Sequence, residues 1–172
     1  AQASDEQMAQ LSELAKKMGR ETKFSATEAG QGLEYMAAAG WPVEDMLRGL
    51  PGIMNLAAAS GEDLALVSNI VTDSMTAFGL EASQASMFAD VLAQAAASSN
   101  TDVAKLGNTF QYVAPVAGAL GFSIQDVATA AGLMANAGIK GDQAGTTMRA
   151  MFSRLVKPTA EVQGVMDRLG LS

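Results

Sequence analysis

Residues 136–152 read NAGIKGDQAGTTMRAMF. Gly138, Gly141 and Gly145, beside Lys140, Thr146 and Thr147, admit two readings that belong to different folds. A phosphate-cradling loop would sit between a strand and a helix of an α/β domain, and its pattern is Gly, four residues, then Gly-Lys-Ser/Thr. Here three residues separate Gly141 from Gly145, Thr146 stands where lysine belongs, and Lys140 lies on the wrong side. The other reading is a joint between two helices. Gly138-Ile139 ends one helix, Gly141-Asp142 starts the next, and Ala144 and Gly145 bare one of its faces for close packing. The sequence before the joint is also helical, so the fold is read as all-α.

The same punctuation recurs along the chain. Gly40-Trp41, Gly79-Leu80, Gly121-Phe122, Gly138-Ile139 and Gly170-Leu171 pair a glycine with a following apolar residue. That is the signature of a Schellman stop, in which glycine takes the left-handed C′ position and the next residue folds back on C3. The C3 residues are Met36, Met75, Ala117, Met134 and Met166, and methionine is a flexible apolar partner for that contact. Gly32-Leu33 and Gly132-Leu133 read differently, as helix-interior glycines that admit a neighbouring helix. The stops at 40, 79, 121 and 170 are spaced by 39, 42 and 49 residues. This fits successive helical hairpins of ordinary size better than a sequence repeat.

Helix starts complete the pattern. Ser25 and Glu28 have the spacing of a capping box, and Ser123 with Asp126 offers another N-cap. Pro42-Val43-Glu44-Asp45 presets a first turn with its acids against the helix dipole. Further starts are expected at Ser60-Gly61-Glu62-Asp63 and Asn100-Thr101-Asp102. Between them, residues 62–78 place Leu64, Val67, Val71, Met75 and Phe78 on one core face, and residues 82–98 form an Ala- and Ser-rich helix. Residues 4–18 form a longer amphipathic helix with Met8, Leu11, Leu14, Ala15 and Met18 on one stripe, and residues 19–24 read as a linker. The expected fold is a compact all-α domain of eight or nine helices in hairpins. Residues 1–23 are expected to be the end of a preceding helix or linker, and 24–172 the main domain. Leu171-Ser172 would open one more helix start, so the domain is expected to continue beyond 172.

Composition agrees. Apolar residues make up 49% of the 172 and aromatics 5%, so Ala, Leu, Val, Ile and eleven Met must build the core. The chain has neither cysteine nor histidine, which rules out disulfides, thiolate sites and His-based triads within it. Residues 25–137 hold eleven acids against Arg48 and Lys105, a balance of −9, while residues 138–172 hold five bases and three acids. Nucleic-acid binding needs a basic stripe to neutralise phosphates, and the body has the opposite sign. The longest uncharged run, 106–125, contains Pro115, three glycines, Asn108, Gln111 and Tyr112. It reads as buried in protein rather than lipid.

The remaining candidates for chemistry are weak by geometry. Glu44-Asp45 and Glu62-Asp63 are adjacent acids in expected first turns, not carboxylates facing each other across a cleft. Ser153 and Lys157 share a helix face but lie among Arg149 and Arg154 ahead of Pro158, as a basic last turn does. No catalytic, cofactor-binding or metal residue is expected.

The ordered set of segments resembles the core domain of bacteriophage tail tape measure proteins. The stretches that carry the resemblance are FSATEAGQGLEYMAAAGW (24–41), LPGIMNLAAASGEDLALVSNIVTDSMTAFGL (50–80), ADVLAQAAASSNTDVAKLGNTFQYVAPVAGALGFS (89–123) and ANAGIKGDQAGTTMRAMFSRLVKPT (135–159). Each alone is Ala-rich helix; the ordered set, above all 135–159, is specific, and it covers about 23–172. The resemblance implies a non-enzymatic structural protein of the phage tail interior, present in the host cytoplasm during assembly. Its implied partners are tail tube and tail tip proteins and tail assembly chaperones, and it implies roles in tail-length determination and genome delivery. Self-association is left open. Two other readings stand beside it: a membrane-active segment at 106–125, and a cell-wall hydrolase using Glu44, Glu62 and Asp63. A ruler made of helix advances ~1.5 Å per residue. A chain so rich in glycine stops is instead expected to fold compactly, as a module adjoining the ruler.

Overall fold

Ser4 starts the first helix by accepting a bond from the Gln7 amide while the Gln7 side chain bonds back, and the same box recurs at Ser25 with Glu28 and at Ser123 with Asp126. The structure, a computed structural model, describes residues 3–170. Among these it contains no strand and nine α-helices: α1 Asp5–Glu21, α2 Ala26–Ala38, α3 Val43–Ser60, α4 Leu64–Phe78, α5 Ala85–Ser98, α6 Val103–Ala119, α7 Ile124–Asn136, α8 Gly141–Val156 and α9 Ala160–Arg168.

Four of the five expected Schellman stops are formed in full. The Trp41, Leu80, Phe122 and Ile139 amides donate to the carbonyls of Met36, Met75, Ala117 and Met134 at 2.9–3.0 Å. Each preceding glycine has positive φ, which glycine adopts without a Cβ penalty. Gly170 also has positive φ and donates to Asp167; its partner Leu171 and the helix start expected at 171–172 lie outside the described residues. One stop was not anticipated: Gly61 ends α3 with a single bond from its amide to the Ala57 carbonyl.

Several boundaries differ from expectation, each for a local reason. The helix expected over 4–18 runs on to Glu21, taking up the first half of the expected linker 19–24. Gly19 does not stop it, because this glycine is where α2 begins against α1. A Cβ there would lie 2.5 Å from the Ala26 nitrogen. Helix α4 begins at Leu64, not Glu62, because Asp63 is the N-cap, accepting from the Ala65 and Leu66 amides at 2.8 and 3.1 Å. The helix expected from 82 opens as a single 3₁₀ turn, Ala82–Gln84, because Glu81 and Gln84 close a box of their own. Pro42 is the N-cap of α3 and not its first helical residue.

The helices stack in two rows. In one, α4 packs on α2, α6 on α4 and α8 on α6; in the other, α5 packs on α3 and α7 on α5, with α1 against both α2 and α3. A helix-interior glycine stands at nearly every step. Cβ atoms added at Gly32, Gly52, Gly107, Gly132 and Gly145 would meet Ser68, Ser86, Ile70, Ser99 and Thr109 within 2.6–3.2 Å. The expectation for Gly32, Gly132 and Gly145 holds. The core fills the space between the rows. Phe110 of α6 is fully buried with Phe78 of α4 and Phe88 of α5 at ring distances of 5.7 and 5.8 Å. Burying a large aromatic ring stabilises by the area it removes from water. Leu11, Ala15 and Met18 bring α1 into the same core.

Candidate functional site

Most of the sequence candidates for chemistry have a structural role. Glu44 and Asp45 lie in the first turn of α3, and Asp45 pairs with Arg48 at 2.9 Å on the surface, Glu44 with the same guanidinium at 3.9 Å. Asp63 caps α4, and Glu62 lies just ahead of it in the connection from α3. The two acid pairs thus lie at two separate helix starts. The Ser153 hydroxyl donates to the Arg149 carbonyl at 2.8 Å, and Lys157 is the exposed C-cap residue of α8, whose own amide bonds to Ser153. The stretch 136–152 is the joint between α7 and α8. The Thr109 hydroxyl reaches across to the Gly141 carbonyl at 3.1 Å and fixes α6 to the start of α8.

Three shifted carboxylates have a cause at a helix start. The Ser25 amide and then its hydroxyl hold the Glu28 carboxyl below its ordinary pKa. The Ser123 hydroxyl and then its amide do the same for Asp126. Partial burial pushes the Asp102 carboxyl up, but bonds from the Lys105 side chain and backbone outweigh it and leave the group lowered. Perturbed groups mark functional sites when they converge in a cleft; these are scattered over helix N-termini. Among the described residues no group of three His, Cys, Asp or Glu could hold a metal ion. The orphaned Ser68 hydroxyl is buried against Gly32 in the α2–α4 contact, not in an opening.

The uncharged run 106–125 is mostly α6. Leu106, Phe110, Val113, Ala114 and Ala117 are in the core between α4 and α8. Among the described residues no helix is long and apolar enough to cross a membrane. A family model described as phage-related minor tail protein matches residues 12–172. The chain belongs to that family.

The match to this tail-protein family starts inside α1, ahead of the expected position 23. A tape measure protein of Pneumococcus phage Dp-1 is 45% identical over 172 residues, covering all of this chain and 15% of the relative. A probable tape measure protein of Escherichia phage P2 is 30% identical over 165 residues, covering 96% of this chain and 20% of the relative. The chain therefore spans a fifth or less of the length of these relatives. No solved structure matches it. The resemblance in the ordered glycine-stopped segments is thus a family relationship. What sequence reasoning missed is the surface: five large apolar side chains of α8, α9 and the α9 C-cap are exposed.

Proposed function

We propose that this chain is a non-enzymatic folded module of a phage tail tape measure protein, positioned in the virion tail and active in tail assembly rather than as the measuring rod itself. The observation that carries the reading is 45% identity, over all of this chain, to a stretch of a tape measure protein, in a chain whose helices turn back at every glycine stop. Drawn out as one helix, 172 residues would reach about 260 Å at ~1.5 Å each. Four helices in a row at ~8–10 Å between axes span only about 30 Å. Folded, the module adds little to a ruler's length. Helix α1, docked on α2 and α3, is the join to the polypeptide that precedes it. Tail tube and tip proteins and assembly chaperones are the partners this reading calls for. The acidic body argues against direct DNA contact.

The test is an insertion in the phage gene. A helical segment of about 28 residues, ~42 Å long at ~1.5 Å per residue, is placed in the α3–α4 connection between Gly61 and Glu62. Assembled tails are expected to keep wild-type length by electron microscopy. If this region were the ruler, tails would lengthen by about the length of the inserted helix. That lengthening would defeat the proposal.

A further inference from the structure

The two-row stack has an open end. Of the nine large apolar side chains exposed among the described residues, five lie close together in sequence: Met151, Leu155, Val156, Val165 and Leu169. The other four, Met8, Tyr35, Leu66 and Leu133, are scattered over α1, α2, α4 and α7. Helix α9 buries no residue, and no other helix packs closely on it. Yet Val162, Val165, Met166 and Leu169 recur at the spacing of one helical face, the pattern of a helix made to be covered. A nine-residue helix is marginal without tertiary support. Beside it the outer flank of α8 presents Ala150, Met151 and Leu155, and with Val162 and the more polar Thr146, Thr147 and Arg154 these line a groove of about 610 Å³.

The stack says what belongs there. From α2 to α6 each helix is covered by the second helix after it in the chain, whereas α9 does not close on α7; in the row α2, α4, α6, α8, the member that would follow α9 and cover α8 is missing. The glycines agree. Glycine weakens a helix relative to alanine, and at each step of the stack a close helix contact accounts for it. Gly164 in α9 has no atom within 4 Å, a property it shares among helix-interior glycines with Gly30 of α2, the first helix of its row. The family match runs to residue 172, and the relatives are about five times longer or more than the stretch matched.

We propose that the outer flank of α8 and the apolar stripe of α9 seat a further helix of the same polypeptide, C-terminal to Ser172, which adds the next step to the stack. The proposal rests on the packing rule and stands apart from the tail-assembly reading. Because the chain contains no cysteine, thiol labelling reads it directly. Leu155→Cys and Val165→Cys, with Met8→Cys on α1 as control, are made both in residues 1–172 and in the polypeptide encoded by the full gene. Maleimide labelling is followed by mass spectrometry of the peptides that carry each introduced thiol. At positions 155 and 165 the rate is expected to fall at least tenfold in the full polypeptide, independently of protein concentration, and at position 8 to stay the same. Equal rates in the two contexts at either of the first two positions overturn the proposal. So does protection that already appears in residues 1–172 and grows with concentration, which would assign the face to a second copy. A reading frame that ends at 172 overturns it as well.

Discussion

Gly145 is the tightest approach to backbone in the row α2, α4, α6, α8 and gives the sharpest test of it. A methyl group added there would lie 2.6 Å from the Thr109 carbonyl oxygen and 2.9 Å from the Tyr112 Cβ. Neither is the free end of a side chain. Thr109 sits mid-helix in α6, whose opposite side is held to α4, where a Cβ on Gly107 would meet Ile70 at 2.7 Å. Helix α6 therefore cannot shift without disturbing the next contact. Overpacking a close core contact costs ~1–3 kcal/mol, and a backbone clash belongs at the upper end. Replacing a helix-interior glycine by alanine returns ~1 kcal/mol of helix propensity. Gly145→Ala is therefore expected to destabilise by about 2 kcal/mol. With a urea m-value of ~2 kcal/mol/M, the midpoint of the circular-dichroism transition falls by about 1 M. Gly30→Ala, with open space around it, is the control and should gain ~0.5–1 kcal/mol. If Gly145→Ala unfolds within ~0.3 M of wild type, or rises with Gly30→Ala, the α6–α8 contact is not the close backbone approach described and the packing argument fails.

Two further outcomes follow from the caps and the core. Glu28 and Asp126 are held below the ordinary carboxylate range in the fold, so as pH falls through that range the unfolded chain takes up protons first. Their contribution is present above the unfolded carboxylate pKa and lost as pH falls through the folded one. The double variant Glu28→Gln/Asp126→Asn should flatten the loss of thermal stability on acidification, and an unchanged acid slope would count against the capping boxes. Phe110→Ala removes the ring shared by Phe78 and Phe88 and should cost ~3–5 kcal/mol, read as a fall in urea midpoint; a loss under ~1 kcal/mol would place Phe110 outside the core.

The fold was legible where a residue type has one local use. Glycine followed by an apolar residue, and serine three places before an acid, each describe a backbone geometry completed within a single turn or two of chain, and the bonds at Gly40, Gly79, Gly121 and Gly138 formed as read. Errors arose where one residue type has two uses. Gly19 reads as the start of a linker but is a point of approach between α1 and α2, and only the position of Ala26 tells them apart. Asp63 resembles a first-turn acid but is the cap itself, a difference of one residue that only the amides of Ala65 and Leu66 decide. The expectation of no chemical constellation rests on the missing histidine and cysteine and on acids that are adjacent in sequence. The structure places Asp45 beside Arg48 and Asp63 at the cap of α4.

The order of helices in the stack lay beyond the sequence because it depends on pairs of helices separated by a third. Nothing local in α4 shows that α2 and α6 lie on either side of it. What the sequence does carry is the position of the interior glycines, and here the structure assigns them a meaning. The stop glycines have positive φ and, except for Gly61 ahead of Glu62, precede an apolar residue; a spacer glycine keeps helical φ and, Gly30 and Gly164 apart, faces a neighbouring backbone or side chain. Under that division Gly164 is a spacer, since it keeps helical φ within α9, and it is a spacer with nothing to meet. A helix this short, apolar along one face and weakened at its centre by glycine has no independent reason to persist. Its sequence is intelligible as one half of a contact, and the exposed flank of α8 beside it fixes the side from which the other half must come.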